Sequence, residues 1–266
     1  MSWYTGSAFD IELAEGLPIL AVSGCVGMIA LAELAVLFGT IEYGLWIYVF
    51  ALIVYLLAPF QYPNGTPLFV AFAVLPVFRL TTAAMPVFTE STLLWLVIVY
   101  TPFIPAVLYI VQLEQFPVVA LRTRIALLNL PLLAGIGWLI AEFQHGLFET
   151  TRLIPFLTST ELLLLVFVMA VYVAFTEELI YRGLLQSTIT AYVGPLGGIF
   201  FASVVFGLMH AVIAEPSLLL LGFCVGLVLG VTYEVTRSLA TVTAIRAVTN
   251  VALFGIFPFL GTALGL

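Results

Sequence analysis

Apolar residues in this chain fall into long continuous runs, most near twenty residues, separated by short polar breaks. Runs occupy 16–39, 43–60, 66–88, 91–112, 125–143, 158–190, 194–214, 217–236 and 238–259. An α-helix rises about 1.5 Å per residue, so roughly 20 residues cross the hydrocarbon core of a bilayer. The pattern predicts an all-α fold, a polytopic transmembrane helix bundle with eight or nine spans. The span 66–88 is the least regular, because Arg79 and two prolines interrupt it. QYPNGT (61–66) reads as a turn, and LEQFPVVALRTR (113–124) as a connecting loop or an interfacial segment. With no internal repeat and no low-complexity tract, 1–266 reads as a single integral membrane domain.

Composition agrees with that reading. The chain is 64% hydrophobic and 8% charged, with a mean hydropathy of +1.26. A soluble domain carries about 25% charged residues. This chain cannot cover its surface with charge, so its main partner is the lipid bilayer, and a multi-pass protein of the cell membrane is expected. The net charge of −7 comes with no basic patch, which argues against nucleic acid. All seven basic residues are arginine, a matter of genomic composition rather than function. Cys25 and Cys224 both sit in apolar spans and form no Cys-x-x-Cys pair, so neither a disulfide framework nor a thiolate metal site is expected. The opening MSWYTGSAFDIELAEG has no basic region and no small-residue cleavage site, which predicts no removable signal peptide. Arg122, Arg124 and Arg237 fall in loops on one side, read as cytoplasmic; Arg152, beside Glu149, falls on the other. Gly222, Gly226 and Gly230 form a small-residue stripe that predicts close helix packing.

Against this apolar background FTEELIYRGLLQ (175–186) stands out. An ionisable residue inside a span costs roughly 2.5–3.5 kcal/mol on insertion scales, so three together need a reason. Glu178 and Arg182, four apart, lie on one helix face and can pair; Glu177 points elsewhere, has no partner on its own helix and is left free. His210, in FGLMH, lies in the next span, with Phe206 one turn earlier and expected beside its ring. With the hairpin apex near Val193, Glu177 is sixteen residues before it and His210 seventeen after. Both then sit roughly 24–26 Å from the apex, at one level of the membrane. Arg246 and Asn250, again four apart, share a face of the last span. Glu33 and Arg79 read as an ion pair or a polar helix contact, and Glu234 with Arg237 as a helix end at the interface.

These elements resemble the CAAX prenyl protease and bacteriocin-processing (CPBP, Abi) family of intramembrane glutamate proteases. The family signature is Glu-Glu-x-x-x-Arg, then Phe-x-x-x-His, then His-x-x-x-Asn on successive core helices. Here they stand as EELIYR (177–182), FGLMH (206–210) and RAVTN (246–250), within core helices at 158–259. Arg246 occupies the position where the family usually has histidine. The resemblance implies an intramembrane endopeptidase acting on a membrane-associated peptide or lipidated protein, a CAAX-type prenylated one among them. It implies Glu177 as the base that activates water, His210 helping to hold that water, and Glu178 with Arg182 as a supporting pair. Asn250, with Arg246 beside it, would stabilise the oxyanion. Such fixed donors are among the larger catalytic contributions. No cofactor is implied; a divalent metal at Glu177 and His210 is the minor alternative.

Elimination points the same way. His-Glu-x-x-His is absent, and the histidines are His210 and His145, the latter placed in a loop. An aspartyl protease needs two aspartates, and the chain has only Asp10. No Gly-x-Ser-Gly element suggests a membrane serine protease. Two other classes remain in view. One is a catalytically inactive relative serving as a membrane scaffold or immunity protein. The other is a transporter, which would want repeats and broken helices in matched halves.

Overall fold

A computed structural model describes residues 17–39, 41–85, 91–113, 121–147, 150–211 and 215–261. Residues 1–16, with Asp10 and the signal-peptide reading that falls on them, Glu149, and 114–120 of the connecting segment lie outside the described residues. Helices α1 (Leu17–Leu37), α2 (Ile41–Gln61) and α3 (Thr66–Ala84) come first. Two broken passages follow, α4 (Thr92–Tyr100) with α5 (Phe103–Leu113), then α6 (Thr123–Leu128) with α7 (Leu130–Leu147). The second half holds α8 (Ser159–Phe167), α9 (Phe175–Glu178), α10 (Ser187–Leu208), α11 (Pro216–Thr236), α12 (Leu239–Val251) and α13 (Phe257–Leu260). No strand occurs among the described residues.

Among the described residues, seven helical stretches are long and apolar enough to cross a membrane. One of them, Ser159–Leu208, runs for 50 residues and accounts for two of the predicted spans. It bends at Gly194, whose φ of 80° and ψ of 172° suit glycine and break the helix just before Pro195. The predicted span 125–143 is α6 and α7, and the irregular span around Arg79 is the continuous α3. Polar side chains start several of these helices. Ser91, Thr158 and Ser238 each accept the backbone N–H three residues on, at 3.4, 3.3 and 3.2 Å, satisfying a donor that the first turn leaves free.

The arrangement of charge is inverted relative to a water-soluble protein. Trp46, Phe50, Leu163, Leu220 and Val231 are exposed, whereas Glu33, Arg79, Glu178, Arg182 and Asn250 are buried. Lipid tails tolerate the first set and would penalise the second. The chain is an integral membrane protein, an all-α polytopic bundle.

Close approach of α10 and α11 gives the glycine stripe its meaning. A Cβ at Gly226 would lie 2.9 Å from the Ser203 Cα, and one at Gly222 would lie 3.1 Å from the Gly207 Cα. At one end of the bundle Ser238 Oγ donates to the Leu121 carbonyl at 2.8 Å, and Arg122 Nη1 to the Thr236 carbonyl at 3.3 Å. The loops carrying Arg122 and Arg237 thus share an end, as their placement predicts. Arg237 closes α11 in a left-handed conformation, φ 49°, and pairs with Glu234.

Candidate active site

Glu177 and Glu178 sit on one α-helical turn, α9, between two π-helical stretches, Val168–Ala174 and Leu179–Gln186. A π-helical turn widens the helix by one residue, and such turns recur at functional sites. The two neighbouring carboxylates diverge. Glu178 Oε2 accepts from Arg182 Nε at 3.2 Å, and both side chains are fully buried. Glu177 instead borders a cavity of two lobes, about 350 and 320 Å³, which share Leu96, Tyr100, Glu177, His210 and Arg246.

His210 follows the last turn of α10. Its Nδ1 is 2.8 Å from the Phe206 carbonyl oxygen. A carbonyl only accepts, so in the neutral imidazole Nδ1 carries the proton and Nε2 keeps its lone pair. Phe206 is the post around which the site is built. Its ring lies 5.1 Å from that of His210 and 5.0 Å, edge-on, from Tyr181. The guanidinium carbons of Arg182 and Arg246 lie 5.3 and 5.0 Å from its centre, within cation–π range. The expected contact of Phe206 with His210 is therefore present, and the carboxylate and imidazole reach one cavity from separate helices.

One expectation needs correction. Glu177 lacks a partner on its own helix, but it is not unpaired. Arg246 Nε and Nη2, from α12, each lie 3.1 Å from its Oε2, and the Tyr100 hydroxyl donates to its Oε1 at 3.1 Å. The reason is proximity across the bundle: α12 packs against α9 and carries a permanent cation to the mouth of both lobes. Two of the five guanidinium N–H groups serve Glu177. Asn250, one turn further along α12, is buried and lines the second lobe.

His145 also differs from expectation. It lies in the last turn of α7 rather than a loop, with Nδ1 2.8 Å from Thr150 Oγ1, and borders neither lobe. Among the described residues no three His, Cys, Asp or Glu side chains form a metal-binding group. Glu177 and His210 alone are a poor fit for a divalent ion, because Arg246 already neutralises the carboxylate.

Several site residues escaped sequence reasoning. Tyr100 and Gln144 line the cavity from α4 and α7. Gly222 gives the imidazole room, since a Cβ there would stand 3.0 Å from His210 Nδ1. Nothing local in the sequence marks Tyr100 or Gln144. Gly222 carried a signal, the stripe, but not its second use.

Residues 159–252 match the family model described as type II CAAX prenyl endopeptidase, Rce1-like. Over this segment the chain is similar to that family. The match covers about a third of the chain and includes every residue of the three motifs, while Tyr100, Arg79 and Gln144 lie outside it. Comparison with curated proteins and with solved structures finds no match. The family is one of proteases.

Proposed function

We propose that the protein is an intramembrane endopeptidase of the cell membrane that hydrolyses a peptide bond in a membrane-associated substrate, prenylated CAAX-type peptides being the first to try. The observation that carries this reading is the convergence of Glu177 and His210 on one cavity within the bundle. Water sits between the Glu177 carboxylate and His210 Nε2, whose lone pair accepts one of its protons in a hydrogen bond. Glu177 takes the other proton as the water oxygen attacks the scissile carbonyl carbon. Asn250 Nδ2 and the Arg246 donors that do not serve Glu177 bond the developing oxyanion. The C–N bond then breaks, and the proton on Glu177 passes to the leaving nitrogen. For this to run, Arg246 must slide from Oε2 toward the substrate oxygen while its guanidinium stays on the Phe206 ring.

A second reading rests on the same Arg246–Glu177 pair. An arginine that never leaves Oε2 blocks the base, and the protein is then a catalytically inactive relative, a scaffold or immunity protein that binds partners through its cavity. Protein reconstituted in liposomes with a quenched-fluorescence prenylated peptide separates the two. The endopeptidase reading expects cleavage by the wild type and about 10²-fold or greater loss in Glu177→Ala and His210→Ala. The inactive reading expects no cleavage by the wild type and a gain in Arg246→His.

A further inference from the structure

The C-terminal end of α10 is buried, and a helix end leaves its last carbonyls without backbone donors. Two of them are met by side chains. The His210 N–H turns back three residues to the Gly207 carbonyl, at 3.1 Å, which leaves the Phe206 carbonyl to the imidazole Nδ1. The Met209 carbonyl, one residue before His210, accepts from Arg79 Nη2 at 2.7 Å. A cation at this end of a helix is also favoured by the helix dipole.

Arg79 is held in turn. Its Nε and Nη2 lie 2.8 and 2.5 Å from Glu33 Oε1. The Tyr48 hydroxyl donates to the same carboxylate oxygen and lies 3.4 Å from Met209 Sδ. Glu33, Tyr48 and Arg79 are buried and come from α1, α2 and α3, all outside the family-matched segment. Three helices with no motif of their own thus converge on the residue that precedes the site imidazole.

We propose that Arg79, braced by Glu33 and Tyr48, is a positioning residue for His210. Its bond to the Met209 carbonyl sets the last turn of α10, and through that turn the Nδ1-protonated tautomer and the aim of the imidazole into the cavity. The inference takes His210 as a site residue, but its test does not depend on cleavage.

The test uses full-length protein labelled with ¹⁵N-histidine and read by NMR. Only His145 and His210 contribute, and His145→Gln assigns them. Replacing both charges by apolar residues, Glu33→Leu with Arg79→Met, leaves no buried charge unpaired, a change that buried ion pairs often tolerate. It also removes the cap from Met209. The wild type is expected to show one fixed His210 tautomer, with the Nδ1 and Nε2 signals well separated. In the double variant these two signals should move toward each other as tautomers mix, while those of His145 stay in place. Unchanged His210 signals would overturn the proposal, because an ion pair that merely joins helices has no reason to govern a ring on another one. Should the double variant not fold, Arg79→Lys keeps the charge against Glu33 but lacks the guanidinium fork. A smaller shift in the same direction is then expected, and His210 signals identical to wild type overturn the inference.

Discussion

Two glutamate–arginine pairs begin from adjacent residues and end in different surroundings. Glu178 pairs with Arg182 one turn along its own helix, and both side chains have no exposure. Glu177 pairs with Arg246 of another helix, at the junction of two cavity lobes, and keeps 16% exposure. The chemistry is the same; the access differs. The first pair is sealed into the wall, where it can only hold the fold together. The second can be reached by water or a substrate, and an arginine there can be drawn to a new acceptor. Position relative to the cavity, rather than residue type, separates a pair closed to solvent from one that a substrate can reach.

That contrast is broken most forcefully by removing one partner from each pair. Arg182→Ala strands Glu178 in a sealed site and should cost about 3–5 kcal/mol of stability. Arg246→Gln leaves Glu177 beside a cavity and with Tyr100, and should cost about 1–2 kcal/mol, between buried and surface values. Thermal unfolding in detergent ranks the two; equal losses would erase the distinction. A sharper version keeps the fold and alters only the second pair. Arg246→His brings in the residue usual for the family and frees Glu177 Oε2. Its melting temperature should fall no further than that of Arg246→Gln, and cleavage of the prenylated peptide should stay within several-fold of the wild type, whereas the inactive reading expects cleavage only in the variant.

Packing around the imidazole gives smaller effects. Gly222→Ala presses a methyl group against His210 Nδ1 and the Gly207 backbone, and should cost about 1–3 kcal/mol and most of the cleavage. Gly230→Ala meets Gln186 Oε1 at 3.1 Å and Ile199 Cγ2 at 3.2 Å, away from His210, so a loss of about 1–3 kcal/mol with cleavage intact is expected. Cleavage lost in Gly230→Ala but kept in Gly222→Ala would detach the glycine stripe from the site.

What could be read from the sequence was what is local. Apolar run length gave the helices, because a span must match the bilayer. The spacing of Glu178 and Arg182 gave their pairing, because four residues on a helix share a face. Near-equal distances from an apex placed near Val193 anticipated that Glu177 and His210 reach one cavity. The partners of Glu177 were hidden, since Arg246 lies 69 residues away and Tyr100 lies 77. Which helices touch is decided by the packing of the whole bundle, and no periodicity reports it. The π-helical stretches flanking α9 were hidden for another reason: their extra residue leaves the apolar pattern unbroken. Arg79 was legible as an ion-pair partner, but its hold on the Met209 carbonyl depends on where α10 ends.

The central claim is that the Glu177 carboxylate, opposite His210, works on water once Arg246 lets go. Mass spectrometry of the prenylated peptide, incubated with liposomes bearing wild type or Glu177→Gln, tests it most directly. The account predicts two fragments whose masses sum to that of the peptide plus one water with the wild type, and intact peptide with Glu177→Gln inserted at equal level. The same fragments in comparable yield from Glu177→Gln would contradict it.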